Sequence, residues 1–377
     1  MARIISIVFY IAVAFGTCIM ALHVRPACAG ARKDACLRQN ALNRLFLSGI
    51  FAVLFAVSAL RFGIGNDYAQ YTLTAHEAYV GGYVVTEPGF NYLVRLVYTL
   101  FGWECYEAVF ALFAFFTLFL FLRVFYRDSA DFAQSFFLFM TLGLYFQTFN
   151  TVRYYFALSI ALGAMRYVLE KDYIRFVFFI GCAALFHKSV LLVLLVYWIA
   201  AFVWKRWVYV LGLLASAACF MGRGFLLKLA LALYPSYKNT IYLDGGMSLA
   251  SVLRVALALG MYLWFVRYKG SAFTASADGR TIRFCGQLHF LALLASTFFS
   301  FLPVVTRIVY YLSVSQLLMI PLILKNIEDE ALKMKWKGAV FAACVLYFLL
   351  FLLSAHQEGV GLLPYRMWLF EERYIFK

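Results

Sequence analysis

Asp67, Glu87, Arg153, His187, Lys188 and Arg307 combine a chemically useful type with a place where a long apolar run ends or breaks. Asp67 lies in Arg61-Phe62-Gly63-Ile64-Gly65-Asn66-Asp67-Tyr68-Ala69-Gln70-Tyr71, a polar, glycine-bearing stretch that opens on Arg61. Glu77 and Glu87 follow before apolar sequence resumes. Arg153 comes after Phe149-Asn150-Thr151-Val152, His187-Lys188 separates two apolar runs, and Arg307 follows Phe301-Leu302-Pro303-Val304-Val305-Thr306. A guanidinium is a planar fork matched to phosphate oxygens, and it stays charged when partly buried. Two or three such donors at a membrane surface suit a diphosphate carried on a lipid. A carboxylate beside them suits deprotonation of a sugar hydroxyl, or stabilisation of positive charge developing at an anomeric carbon. Taken singly, each cation also fits a side chain reaching for the headgroups, and His187 a satisfied core histidine.

The elements that must hold these residues are membrane helices. Of 377 residues, 65% are hydrophobic and only 14% charged, well below the quarter that is charged in ordinary soluble domains. Apolar runs recur over 4–24, 42–60, 105–122, 132–149, 154–169, 174–186, 189–204, 207–221, 249–266, 284–302, 308–324 and 338–353. The expectation is an all-α, polytopic integral membrane protein of about twelve transmembrane helices, forming one membrane domain over 1–377. Several runs are short, and the one ending before His187-Lys188 suits a break that dips into the bilayer, where protein or water must cover the exposed backbone.

Lys and Arg gather in alternate connections, beginning with Arg25, Arg32, Lys33, Arg38 and Arg44, and cytoplasmic loops retain such residues. That places both termini outside, together with Asp67, Arg153, His187-Lys188 and Arg307. The stretch 61–104 becomes an outer loop carrying the candidate carboxylates, and 222–248 an outer interfacial segment with Phe225, Leu226, Leu229, Leu233 and Tyr234 at helical spacing. Ala27-Cys28-Ala29 would suit a signal-peptidase site, but cleavage there would leave five bases on the outer face. Loop asymmetry accounts for most of the net charge of +15, so nucleic acid is not an expected partner.

The eight cysteines are scattered without metal-ligand or C-x-x-C spacing and read as small packing residues. His76-Glu77 lacks the second histidine of a zinc-protease helix, and neither a G-x-S-x-G elbow nor a P-loop occurs. Nothing in the spacing of Asp67, Glu77 and Glu87 requires a metal, and no cofactor is expected. Arg254, inside a span, and Arg366 have no assignment from sequence.

The chain resembles the EpsG family of bacterial exopolysaccharide clusters, related to Wzy-type polymerases. The matching pieces come in family order: the Arg61 to Tyr71 stretch, Glu87-Pro88-Gly89-Phe90, Arg153-Tyr154-Tyr155-Phe156-Ala157, Phe186-His187-Lys188-Ser189-Val190 and Arg307-Ile308-Val309-Tyr310-Tyr311. Tyr154 stands where members often carry Gln, and Asn66 where they often carry a small hydroxyl residue. The resemblance implies a fold similar to the C-type membrane glycosyltransferases. It implies a metal-independent polymerase that joins undecaprenyl-pyrophosphate-linked oligosaccharide units on the outer leaflet of the bacterial cytoplasmic membrane, beside a flippase and a chain-length regulator. Asp67 and Glu87 would then be catalytic, with Arg61, Arg153, His187, Lys188 and Arg307 on the pyrophosphate. A flippase of the same lipid-linked sugars, or an acyltransferase using His76 or His187 with Asp67, remain alternative readings.

Overall fold

The computed structural model describes residues 2–25, 33–233, 248–270, 272–302, 305–356 and 360–370. The chain folds into α1 (Ala2–Ala21), α2 (Lys33–Ala59), α3 (Tyr68–Val80), α4 (Pro88–Phe101), α5 (Tyr106–Asp128) and α6 (Phe132–Thr141). It continues through α7 (Leu144–Gln147), α8 (Val152–Leu169), α9 (Tyr173–Ala184), α10 (Leu192–Ala201), α11 (Arg206–Met221) and α12 (Arg223–Leu233). The last helices are α13 (Leu249–Lys269), α14 (Ala277–Phe298), α15 (Val305–Ser313), α16 (Gln316–Lys325) and α17 (Glu330–Ser354). Among the described residues the fold is all-helical, and extended pairing is confined to an isolated antiparallel bridge between Arg61 and Met367.

Six of these elements are long and apolar enough to cross a membrane: α1, α2, α5, α13, α17 and the α15–α16 pair taken as one span. Counting α11 and α12, bent by 79° at their junction, as one span raises the number to seven. Other runs read as spans are interrupted. Gly143, with φ +72°, ends the helical path between α6 and α7, and only glycine adopts that conformation cheaply. The run 308–324 breaks at Val314–Ser315. The helices from Phe132, Tyr173 and Lys188 are apolar but short. Ala27-Cys28-Ala29, residues 234–247 of the interfacial segment and Pro303-Val304 lie outside the described residues.

The chain divides into two compact units. The first comprises Met1–Gly163, Cys182–Lys188 and Leu324–Lys377. In it α2 packs on α1 and α5, and α6 on α1 and α17. The stretch expected as an outer loop is a helical hairpin, α3 and α4, packed on each other and, through α4, on α5. Tyr68, Tyr71, Ala75 and Ala78 of α3 and Phe90, Val94, Val97 and Tyr98 of α4 are buried with Val109, Phe110 and Phe113 of α5 and Val152 of α8. Both hairpin helices end on a left-handed glycine, Gly81 and Gly102, the usual helix stop.

The second unit comprises Ala164–Gly181 and Ser189–Ile323. Here α14 packs against α10, α11, α13 and α15. Tyr197 donates from its hydroxyl to the Tyr311 carbonyl at 2.7 Å, and Ser189 and Tyr311 pair their hydroxyls at 3.4 Å. None of the described cysteines is in a disulfide.

Candidate functional site

Glu87 organises the site in the first unit. Thr86-Glu87-Pro88 starts α4 in the expected way, with Glu87 as N-cap in extended conformation and Pro88 in the first turn. An N-cap side chain normally accepts from its own helix, but the Glu87 carboxylate makes no such bond. It accepts instead from the Arg153 guanidinium in a salt bridge and from the Lys188 backbone N–H at 3.1 Å. His187 Nδ1 stands 3.8 Å from Glu87 Oε1. The side chains of Arg153, Glu87 and His187 are 18%, 11% and 9% exposed, so the ion pair is only partly screened by solvent.

Local sequence explains the meeting. Gly89 N–H donates to the Leu185 carbonyl at 2.8 Å, and a Cβ on Gly89 would sit 2.6 Å from that oxygen. Only glycine lets the start of α4 approach the turn carrying His187 and Lys188 this closely. Arg153, in the first turn of α8, is held from its other side. Its guanidinium lies 5.4 Å from the Tyr71 ring centroid and 5.1 Å from that of Phe90, and Nε donates to the Tyr71 hydroxyl at 3.4 Å. Tyr154 packs edge-on to His187, with ring centroids 5.4 Å apart.

Asp67 is the half-buried N-cap of α3, four residues before Tyr71. Residues so spaced share a helix face, and Tyr71 is the residue that touches Arg153. The loop carrying Asp67 is also tied to the approach to Arg153, because Asn66 N–H donates to Asn150 Oδ1 at 2.8 Å. Gly65, with φ +103°, lies so close to Phe149 that a Cβ would meet its carbonyl oxygen at 2.3 Å. Gly65 N–H donates to the Gly361 carbonyl at 2.9 Å.

That last bond belongs to a C-terminal strap. Phe62 N–H donates to the Arg366 carbonyl and Trp368 N–H to the Leu60 carbonyl, each at 3.0 Å. The Tyr365 hydroxyl donates to the Val57 carbonyl at 2.9 Å. The C-terminal segment therefore backs the Asp67 loop and terminates α2. Its only sequence signal is aromatic residues beside Pro364, too common here to single out.

Arg61 lies apart from the Glu87 cluster. It is 2% exposed, donates from Nη1 to the carbonyl and, at 3.2 Å, the hydroxyl of Ser58, and lies between the Phe110 and Phe149 rings, 5.1 Å from each centroid. Ser58, Thr117 and Thr148 line a narrow crevice beside it. Burial pulls its pKa down to about 10, against the opposing pull of Tyr68 and other nearby tyrosines, so it stays charged at neutral pH. Burial pushes the Tyr68 hydroxyl well above the ordinary phenol range.

Asp67, Glu77 and Glu87 do not gather: Glu77 is on the exposed face of α3, and among the described residues no three His, Cys, Asp or Glu side chains share a metal-sized site. His76 pairs with Glu104 at 2.9 Å across the hairpin. Arg307, half-buried in the first turn of α15, belongs to the second unit. That unit also holds Arg254, which is buried on α13 with its guanidinium 4.8 Å from the Tyr310 ring centroid.

The model of the EpsG family matches residues 44–367, a range that contains Arg61, Asp67, Glu87, Arg153, His187, Lys188, Arg254 and Arg307. No curated protein and no solved structure matches the chain.

Proposed function

Since the chain belongs to the EpsG family, and so to exopolysaccharide-related membrane proteins, we propose that it is a polymerase of lipid-linked oligosaccharide. Its substrates are undecaprenyl-diphosphate-linked repeat units on the outer leaflet of the bacterial cytoplasmic membrane, delivered by a flippase and consumed under a chain-length regulator. In this reading the shorter and broken helices complete about twelve crossings, in an arrangement like that of the C-type membrane glycosyltransferases.

The observation that carries the reading is the joining of three separated segments at Glu87. Arg153, His187 and the Lys188 N–H meet there, an array of cationic and N–H donors suited to a diphosphate. Arg153 and His187 neutralise the charge that builds on the departing undecaprenyl diphosphate, and Lys188 adds its ammonium. Arg307 performs the same task for a diphosphate at the second unit. Positive charge for the leaving group comes from these side chains, so the reaction proceeds without a metal.

Bond changes follow from those roles. The acceptor sugar's hydroxyl gives its proton to the Asp67 carboxylate, and its oxygen forms a bond to the donor's anomeric carbon. The bond from that carbon to the diphosphate oxygen breaks, and undecaprenyl diphosphate leaves with the electron pair. Glu87, the other candidate base, is engaged by Arg153 and the Lys188 N–H, and we assign it to positioning. Arg61 is assigned to holding the end of α2 beneath the Asp67 loop rather than to direct diphosphate contact.

The test is a cell-wall extract from strains carrying Arg153→Ala or Asp67→Asn at normal protein level. Polymer should disappear while single lipid-linked units accumulate. Normal chain length in both strains would overturn the assignment.

A further inference from the structure

We propose that Arg254 is a phosphate-binding residue of the second unit, acting with Arg307 on the diphosphate of a second lipid-linked substrate. This rests on the polymerase reading above and extends it to a side chain with no role so far. Arg254 belongs to the buried face of α13, in register with Ala258, Met261 and Phe265. It is 6% exposed, five residues inside a helix long and apolar enough to span the membrane. A guanidinium in such a place is costly and marks a functional site by default.

Its setting points to an anion. The guanidinium faces the Tyr310 ring at 4.8 Å from the centroid, and Tyr310 lies three residues after Arg307 on α15. Residues three apart share a helix face, so both cations belong to the Tyr310 side of that helix. A stacked guanidinium keeps its fork pre-organised for phosphate oxygens. Polymerisation joins two lipid-linked substrates and therefore needs two diphosphate sites. The Glu87 cluster supplies one and this arginine pair the other.

His289 adds an independent observation. It is fully buried on α14, with Nδ1 2.8 Å from the Cys285 carbonyl and 3.4 Å from the Ser315 hydroxyl. A carbonyl can only accept, so Nδ1 bears the proton and Nε2 presents its lone pair. That Nε2 is buried and has no hydrogen-bond partner among the described residues. Buried polar atoms without partners call for an explanation, and a substrate hydroxyl donating to Nε2 provides one.

The experiment uses the full chain in phosphatidylcholine nanodiscs, with undecaprenyl diphosphate and inorganic pyrophosphate as probes. Binding stoichiometry and thermal stability are read for the wild type and for Arg254→Lys, Arg254→Gln and Arg307→Gln, each also in the Arg153→Ala background. The wild type should bind two diphosphates per chain. Each single variant should lose one of them, with affinity at the second unit down about tenfold or more. Diphosphate should raise the melting temperature of Arg254→Gln less than it raises that of the wild type. Arg254→Lys, which keeps the charge without the fork, guards against a folding artefact.

Wild-type stoichiometry in both Arg254 variants, with a loss in Arg307→Gln, would overturn the proposal while leaving the polymerase reading in place. Loss of pyrophosphate binding in the Arg254 variants of a protein that makes no polymer would support the phosphate site and defeat that reading.

Discussion

Replacing Glu87 by Gln separates positioning from proton transfer. Glutamine keeps an acceptor oxygen for the Lys188 N–H, now 3.1 Å away, and removes the charge facing Arg153. A hydrogen bond to a charged group contributes roughly 1.5–3 kcal/mol and a neutral one about 1 kcal/mol, so the exchange costs about 0.5–2 kcal/mol at full burial. Arg153 is 18% exposed, which trims that figure. Arg153 also keeps its Tyr71 bond and its Phe90 stacking, so the guanidinium loosens without being released. The expected result is a slightly lower unfolding temperature and a polymerisation rate down about tenfold, the equivalent of about 1.4 kcal/mol. Asp67→Asn should do the reverse, leaving stability nearly unchanged and cutting the rate ~10²- to 10⁴-fold, the usual range for losing a general base. The assay pairs a thermal melt of purified protein with the initial rate of undecaprenyl diphosphate release. A Glu87→Gln protein as inactive as Asp67→Asn, with an unshifted melt, would refute the reasoning and make Glu87 the base.

Gly89→Ala should depress polymer formation at near-normal protein level, because its Cβ would enter the 2.6 Å gap to the Leu185 carbonyl and push His187-Lys188 from Glu87. Gly181→Ala, at a glycine with open space around it, is the control and should be silent in the same polymer gel. Gly65→Ala should destabilise the protein by about 1–3 kcal/mol from backbone strain alone, with the close Phe149 carbonyl adding to it, measured as a lower melting temperature. Tyr365→Phe removes the strap's bond to the Val57 carbonyl and should cost about 1 kcal/mol, visible as faster proteolysis of the C-terminal segment.

The meeting of Arg153 with Glu87 and the His187-Lys188 turn was legible before any geometry, because each interrupts apolar sequence where a charge is out of place. The hairpin was not, although its pattern was present. The buried Tyr68, Tyr71, Ala75 and Ala78 fall at helical spacing, but tyrosine and alanine weigh too little in hydropathy to stand out from a loop. Counting spans by hydropathy missed the breaks at Gly143 and Ser315, since apolar content says nothing of where a backbone turns. Arg254 stayed unassigned because its aromatic partner lies far along the chain, and the C-terminal strap because backbone hydrogen bonds leave no mark on residue choice.

The central claim is that the chain forms a glycosidic bond at the expense of a lipid diphosphate. The most direct measurement is the purified protein in lipid vesicles, supplied on the outer face with undecaprenyl-diphosphate-linked repeat units, following product length and released undecaprenyl diphosphate together. One undecaprenyl diphosphate should be released for each linkage formed, with both signals lost in Asp67→Asn and Arg153→Ala. Movement of intact lipid-linked units between leaflets, with no diphosphate released and no chain growth, would contradict the claim.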